Sequence, residues 1–127
     1  MPVSFFEDLP GRYRPAQLCA CSSAELIWAL EQAHAAGWKH FIIVSHSFEF
    51  LRNRRNGGNV SPRRRVLRRF EKLCEYLDRN RDRFSTATFA DLDIPQPEPS
   101  GTGSMLRSNM VRTALRMGEQ LLDRVLT

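Results

Sequence analysis

Hydrophobic residues recur at helical spacing between residues 23 and 36, and this stretch has clear signals at both ends. Ser22 suits the N-cap position, and Glu25 three residues later completes a capping box. Gly37 suits a left-handed C-cap, so a helix is predicted over residues 23–36. Its apolar stripe consists of Leu26, Ile27, Leu30 and Ala33.

Two later stretches show the same period. Ser61 and Pro62 form an N-cap and first-turn pair, which predicts a second helix that ends at Arg79. Its apolar positions are Val66, Phe70, Leu73 and Leu77. A third helix is predicted over residues 105–126, with a stripe that should pack against this domain or a partner. That stripe consists of Leu106, Met110, Ala114, Met117, Leu121 and Val125.

Three short stretches favour strands instead. Residues 39–46 contain a β-branched, nearly unbroken apolar run, which is typical of a strand buried on both faces in a parallel sheet. Residues 84–89 alternate in polarity, and residues 3–6 form a further short candidate. Strands that alternate with helices predict an α/β fold with a parallel sheet and right-handed crossovers.

The chain has 127 residues and a formal net charge of +5, and only Lys39 and Lys72 are lysines among its 19 basic residues. An arginine-rich segment over residues 52–69 surrounds a polar loop. It could contact phosphates or an acidic glycan, although no aromatic residue is interleaved for base stacking and no named nucleic-acid module fits. Its members are Arg52, Arg54, Arg55, Arg63, Arg64, Arg65, Arg68 and Arg69.

Cysteine usage and the N-terminal residues bear on the compartment. Cys19, Cys21 and Cys74 are odd in number, and the close pair has one intervening residue, so neither a disulfide framework nor a zinc knuckle is predicted. No secretory signal or stretch of about 20 apolar residues occurs. We therefore expect free thiols and a cytoplasmic protein without a membrane span.

His46 is the main candidate for chemistry, because it follows the predicted strand directly and catalytic side chains collect at the carboxyl ends of parallel strands. Strand parity places it on one face with Ile42 and Val44, which form an apolar floor. A histidine there suits general acid or base catalysis, and a histidine that merely caps the strand is the alternative. Glu49 lies close enough in sequence to orient His46 or a sugar hydroxyl.

The motif Ile-Ile-Val-Ser-His at residues 42–46 resembles the closing motif of polysaccharide deacetylases of the NodB-homology type. The sequences of residues 69–77 and 83–92 are also similar to the end of those domains. The resemblance implies a partial (β/α) barrel-like parallel sheet with flanking helices over residues 1–94. A Pro/Gly/Ser linker at 95–104 and an amphipathic C-terminal helix at 105–127 complete the expected organisation.

The family removes acetyl groups from N-acetylated glycans with a divalent metal such as zinc. By resemblance, His46 would be the general acid that protonates the departing amine, and Val44 would line the pocket for the acetyl methyl group. The family's metal ligands belong to an N-terminal half that has no counterpart in this sequence. His40 and His46 would lie roughly 20 Å apart along a strand and cannot share a metal, so no metal site is predicted within the chain.

Two classes of function remain open from the sequence. The first is the C-terminal part of a glycan deacetylase, inactive as an isolated chain because general acid catalysis supplies only ~10² to 10⁴ in rate. Such a half-domain should pair with itself or with a complementary chain. The second is a non-enzymatic basic α/β module that binds nucleic acid or a partner protein through the arginine-rich segment.

Overall fold

The computed structural model describes residues 3–52, 60–88, 90–91, 106–107 and 110–125. Three helices and four short strands occur within these residues, and a 3₁₀ segment, Ser47–Phe50, precedes the third strand. The strands are β1 (Phe5–Leu9), β2 (Arg12–Pro15), β3 (Leu51–Arg52) and β4 (Ser61–Pro62). The helices are α1 (Ser23–Ala35), α2 (Arg64–Arg79) and α3 (Met110–Val125).

The predicted parallel (β/α) barrel-like sheet is wrong. The strands form two separate two-stranded antiparallel sheets, in which β1 pairs with β2 and β3 with β4. Residues 39–46 run beside the first hairpin but form only an isolated bridge, between Val44 and Gln17. Residues 84–88 form no strand, and Phe89 lies outside the described residues. Parallel strands are stable when they are paired and covered on both sides, and these two segments have no such neighbours in the described part of the chain.

The predicted N-terminal strand forms part of the first hairpin. The predicted strand at residues 3–6 begins at Phe5 and continues to Leu9, because β2 returns alongside it with Phe6 opposite Arg14. Gly11 in the turn has a φ of 74°, a value that favours glycine. Its amide donates to Glu7 Oε1 at 2.7 Å, which closes the turn.

The predicted ends of α1 are confirmed. The Glu25 amide donates to Ser22 Oγ at 3.2 Å, and the Ser22 amide donates to Glu25 Oε2 at 2.9 Å, which is a complete capping box. At the other end Gly37 has a φ of 72°. The Gly37 amide donates to the carbonyl of His34 and the Trp38 amide to that of Ala33, the two hydrogen bonds of a Schellman motif.

The second helix is confirmed, but its start is not. Ser61 and Pro62 form β4 with Leu51 and Arg52 instead of capping the helix. The N-cap is Arg63, which makes no side-chain capping hydrogen bond. The β3–β4 pairing satisfies backbone groups that an N-cap at Ser61 would have left in a loop.

The third helix presents a different face to the fold from the one predicted. Met117 and Leu121 of the predicted stripe are exposed, and Leu106 is buried but precedes the helix. Among the α3 side chains at residues 111–118 and 121, the buried ones are Thr113 and Arg116. A polar face turns inward because two buried carboxylates lie beneath it.

Those carboxylates belong to Asp8 and Glu25, and together with Arg14, Thr113 and Arg116 they form what we call the buried ionic cluster. Arg116 Nε donates to Glu25 Oε1 at 3.0 Å, and its Nη2 donates to Asp8 Oδ2 at 3.1 Å. Arg14 donates to the same Asp8 oxygen, and Thr113 Oγ1 donates to the Asp8 carbonyl at 3.1 Å. Burying two carboxylates is tolerable only with such partners, so the cluster binds α3 to β1 and α1.

The hydrophobic core lies between the first hairpin, α1 and α2. Burial of this apolar surface is the main stabilising contribution to the fold. None of the described helices is long and apolar enough to cross a membrane. The predicted linker at 95–104 lies outside the described residues. The most deeply buried apolar residues are Phe6, Ala16, Leu18, Cys21, Leu26, Ala29, Ala33 and Val66.

Candidate functional site

The segment that carries His46 is held in place along one edge. Val44 donates its amide to the Ala16 carbonyl at 2.9 Å and accepts from the Leu18 amide at 3.0 Å. The Ser4 amide donates to the Ile42 carbonyl at 3.2 Å. These bonds position residues 42–44 against the first hairpin and the turn that follows it. The backbone just before His46 is therefore held by hydrogen bonds on one side.

His46 lies at the start of the 3₁₀ segment, with an extended backbone at φ −121° and ψ 143°. The turn brings Glu49 back onto the histidine, and His46 Nδ1 lies 3.1 Å from Glu49 Oε1. The histidine side chain is 49% exposed, whereas that of Glu49 is 4% exposed. The pair therefore combines an accessible ring with a buried carboxylate.

Glu49 is held as an anion. Burial alone raises the pKa of this carboxyl, but hydrogen bonds from His46, Cys19 and Gln17 outweigh burial and leave the pKa below its usual value. Gln17 Nε2 donates to Glu49 Oε1, the oxygen that also faces His46. Because an ionised carboxylate only accepts hydrogen bonds, the proton in the contact belongs to His46 Nδ1. His46 Nε2 is the ring nitrogen left for a ligand.

Cys19 lies beside the same carboxylate but does not provide a nucleophile. Burial, and then the hydrogen bond and negative charge of Glu49, raise the pKa of the Cys19 thiol to about 11. A thiol with this pKa is protonated at neutral pH, and the thiolate is the reactive form. The arrangement of Cys19, His46 and Glu49 is therefore not a cysteine-hydrolase site.

Phe48 adds an aromatic surface that the sequence analysis missed. Its ring stacks on that of His46, with centroids 5.1 Å apart and an angle of 22° between the planes. The residue is 69% exposed, which is unusual for a phenylalanine in a well-packed position. An exposed aromatic face beside a polar pair suits the apolar face of a pyranose ring. The available signal was an aromatic residue two positions after the histidine.

Gln17 was also missed, and for a different reason. It lies 32 residues from Glu49, and only the bridge between Gln17 and Val44 brings the two side chains together. No local pattern in the sequence predicts the contact between Gln17 and Glu49.

The structure shows where Ile42 and Val44, two of the predicted substrate-binding residues, lie. Ile42 and Val44 are half-buried and belong to the edge that bonds to Ser4, Ala16 and Leu18. A cavity of about 380 Å³ is lined by Ile43 and Ser45, the residues of opposite parity. The expected position of His46 at the end of a central parallel strand is wrong, because no such strand forms.

The described residues do not fit the divalent metal that the deacetylase resemblance implies. No three His, Cys, Asp or Glu side chains among residues 3–52, 60–88, 90–91, 106–107 and 110–125 come together in a group that could hold an ion. The His34 ring packs edge-on against the Phe84 ring, with the ring centroids 5.4 Å apart. We derive no step through a metal from these residues.

The described part of the arginine-rich segment contains one buried arginine, and its other members are half-buried or exposed. Arg69 is buried, and its Nη1 donates to the Cys19 carbonyl at 3.2 Å, so it has a structural role. Arg54 and Arg55 lie outside the described residues. A depression of about 440 Å³ at the start of α2 is lined by Arg52, Ser61, Pro62, Arg63, Arg64, Arg65 and Arg68.

Comparison with known proteins finds no matching family model, no matching curated protein and no matching solved structure.

Proposed function

We propose that this chain contributes a glycan-binding, proton-transferring surface of a carbohydrate deacetylase and that it does not hydrolyse its substrate alone. The observation that carries the proposal is the contact between His46 Nδ1 and the buried Glu49 carboxylate. It supports the role that the motif at residues 42–46 implies for His46. The proposal does not include a complete parallel barrel, which the described residues do not form.

The chemistry follows from the polarity of the pair. Glu49 accepts from His46 Nδ1, so Nε2 is the ring nitrogen that would exchange a proton with a substrate. In deacetylation, the nitrogen of the departing amine needs such a proton when its bond to the acetyl carbon breaks. Phe48 would place the sugar ring beside His46 by stacking.

Amide hydrolysis also needs a nucleophile and stabilisation of the tetrahedral intermediate. General acid catalysis supplies only about 10² to 10⁴ in rate, which does not replace those contributions. The raised pKa of the Cys19 thiol, about 11, makes it a poor nucleophile at neutral pH. The proposal therefore assigns the nucleophile and the stabilisation of the intermediate to a complementary chain.

Glycan binding is the direct test. We expect an N-acetylglucosamine tetramer to shift the NMR signals of the His46 and Phe48 rings and to bind at least fivefold more weakly to Phe48→Ala. Phe5→Ala is the matched control, because Phe5 is also exposed but lies on β1. Equal binding by both variants, or no ring shifts at millimolar glycan, would contradict the proposal.

Activity provides the second test. The isolated chain, with and without added zinc, should release no acetate from the same tetramer. Turnover by a clean monomer that is lost on chelation and in His46→Ala would show that the chain is a complete enzyme, and the proposal would be wrong.

A second candidate function is anion binding at the start of α2. The depression there is surrounded by arginines, and the N-terminus of a 16-residue helix attracts negative charge. Heparin hexasaccharide and single-stranded DNA are suitable probes, and the slope of log affinity against log salt reports the number of contacts. Arg64→Gln and Arg68→Gln should each reduce that slope, whereas Arg81→Gln, just beyond the C-terminal end of α2, should not. A flat salt response excludes this function.

A further inference from the structure

The cavity of about 380 Å³ lies between α1, α2 and two non-helical segments of the chain. Residues 41, 43 and 45 line it from one segment, and residues 84–87 line it from the other. Its lining is mainly apolar, and it also includes polar residues, among them the exposed Lys39. The apolar and aromatic lining residues include Leu30, Trp38, Phe41, Ile43, Phe70 and Phe84.

The first segment has one occupied edge and one open edge. Ile42 and Val44 use their backbone groups to bond to Ser4, Ala16 and Leu18. In an extended chain, successive residues direct their backbone groups to opposite edges, so Ile43 and Ser45 direct theirs the other way. Neither of these two residues makes a backbone hydrogen bond within the described residues.

The second segment is similarly open. Ser85, Thr86 and Ala87 are exposed and make no backbone hydrogen bonds in the described part of the chain. The next backbone hydrogen bond along the chain is at Thr88, whose amide donates to Asp91 Oδ2 at 2.9 Å. The cavity is therefore bounded by apolar side chains and by backbone groups of Ile43, Ser45 and residues 85–87 that make no backbone hydrogen bond to any other described residue.

We propose that this cavity receives an extended segment of a different polypeptide, which adds as a β-strand to the open edge at Ile43 and Ser45. Backbone groups are obligatory hydrogen-bonding groups, and a strand is the ligand that satisfies a row of them while its alternate side chains enter an apolar cavity. The incoming strand carries apolar residues at every second position and an acidic residue near Lys39, which has no ion-pair partner in the described residues. This inference does not rest on the proposed function.

Two other occupants fit less well. A second copy of the chain brings another net charge of +5, which opposes close association. The chain's own segment at 95–99 has proline at Pro95, Pro97 and Pro99, and proline has no amide to donate to an edge. A separate, more acidic chain avoids both difficulties.

A synthetic peptide tests the proposal. The probe is a seven-residue, end-blocked peptide of alternating valine and threonine with one terminal glutamate, labelled for fluorescence anisotropy. We expect saturable binding below 1 mM, with the Ile43 and Ser45 amides protected from hydrogen exchange. Two further peptides are N-methylated at every second residue, one on the odd and one on the even positions. Their affinities should differ, and at least one should bind tenfold more weakly than the unmethylated peptide because it lacks the required donors.

Two protein variants separate backbone pairing from simple apolar contact. Ser45→Pro removes one edge amide from an exposed residue, and Ser45→Ala keeps it, so only the proline variant should bind the peptide at least fivefold more weakly. Circular dichroism checks that both remain folded. No saturable binding, equal binding of all N-methylated peptides, or equal binding by the two variants overturns the proposal. Protection of the same amides by concentration-dependent dimerisation would assign the edge to a second copy and would also overturn it.

Discussion

Replacement of Arg116 by methionine tests whether the buried ionic cluster holds α3 on the rest of the fold. The Arg116 and Glu25 side chains are 4% and 0% exposed, and their contact atoms are 3.0 Å apart. Unit charges at that distance attract by roughly 5 kcal/mol at an effective dielectric constant of about 20. Methionine fills much of the arginine's volume but leaves Glu25 Oε1 without its cation, whereas Asp8 keeps Arg14.

We expect Arg116→Met to lower the free energy of unfolding by about 3 kcal/mol. Removal of one member of a buried pair typically costs ~3–5 kcal/mol, and the variant no longer has to desolvate the guanidinium. A domain of this size is stable by only ~5–15 kcal/mol, so the loss should be visible in urea titrations. It should also appear as faster proteolysis within α3.

Arg107→Met is the matched control. Arg107 also pairs with a carboxylate of β1, Glu7, at 2.8 Å, but its side chain is 81% exposed. A surface pair contributes ~0–1 kcal/mol. The reasoning is refuted if Arg116→Met costs no more than Arg107→Met, or if its cost is unchanged in a Glu25→Gln background.

Three further predictions concern other parts of the fold. Gly37→Ala should lower the free energy of unfolding by about 1 kcal/mol in urea titrations, because Gly37 has a φ of 72°. Gly118→Ala, within α3, should raise it by a similar amount, and the opposite signs would contradict both expectations. Iodoacetamide at pH 8 should label the exposed Cys74 long before Cys19. The Cys19 pKa of about 11 leaves roughly one molecule in a thousand as the reactive thiolate at that pH. Equal labelling rates by mass spectrometry would exclude that pKa. The lowered pKa of Glu49 gives stability that is complete above its ordinary value of 4.5 and is lost as pH falls through the folded pKa. In urea titrations Glu49→Gln should therefore lose less stability than the parent chain as pH falls below 4.5, and equal losses would contradict this.

Local signals in the sequence predicted local structure well. The capping box at Ser22 and Glu25 and the C-cap at Gly37 act within a few residues, and the structure confirms both. The same signal at Ser61 failed, because pairing with Leu51 and Arg52 is a contact between separate segments and outweighed the capping preference.

Patterns that depend on distant neighbours predicted less. The apolar run at residues 39–46 has strand composition, but a strand needs partners, and this one bonds along a single edge. Met117 and Leu121 of the predicted α3 stripe do not face this fold, so packing against a partner is the alternative that the sequence left for them. The fold receives Arg116 instead, the cation that Asp8 and Glu25 require, and hydrophobic periodicity carries no information about that requirement.

The candidate site was predictable to a similar extent. His46 and Glu49 are three residues apart, so their contact depends on one short turn that the sequence permits. Gln17 reaches the site only through the tertiary fold, and Phe48 is distinguished by its exposure, which a sequence does not display.

The buried ionic cluster also has a consequence for synthesis on the ribosome. Asp8 and Arg116 are separated by 108 residues along the chain. Translation at ~5–20 residues per second takes roughly 5 to 20 s to cover that distance. During this interval the nascent hairpin and α1 carry the carboxylates of Asp8 and Glu25 without Arg116, so the N-terminal elements cannot complete their burial until α3 has emerged. Folding of this chain is therefore expected to be completed late in its own translation.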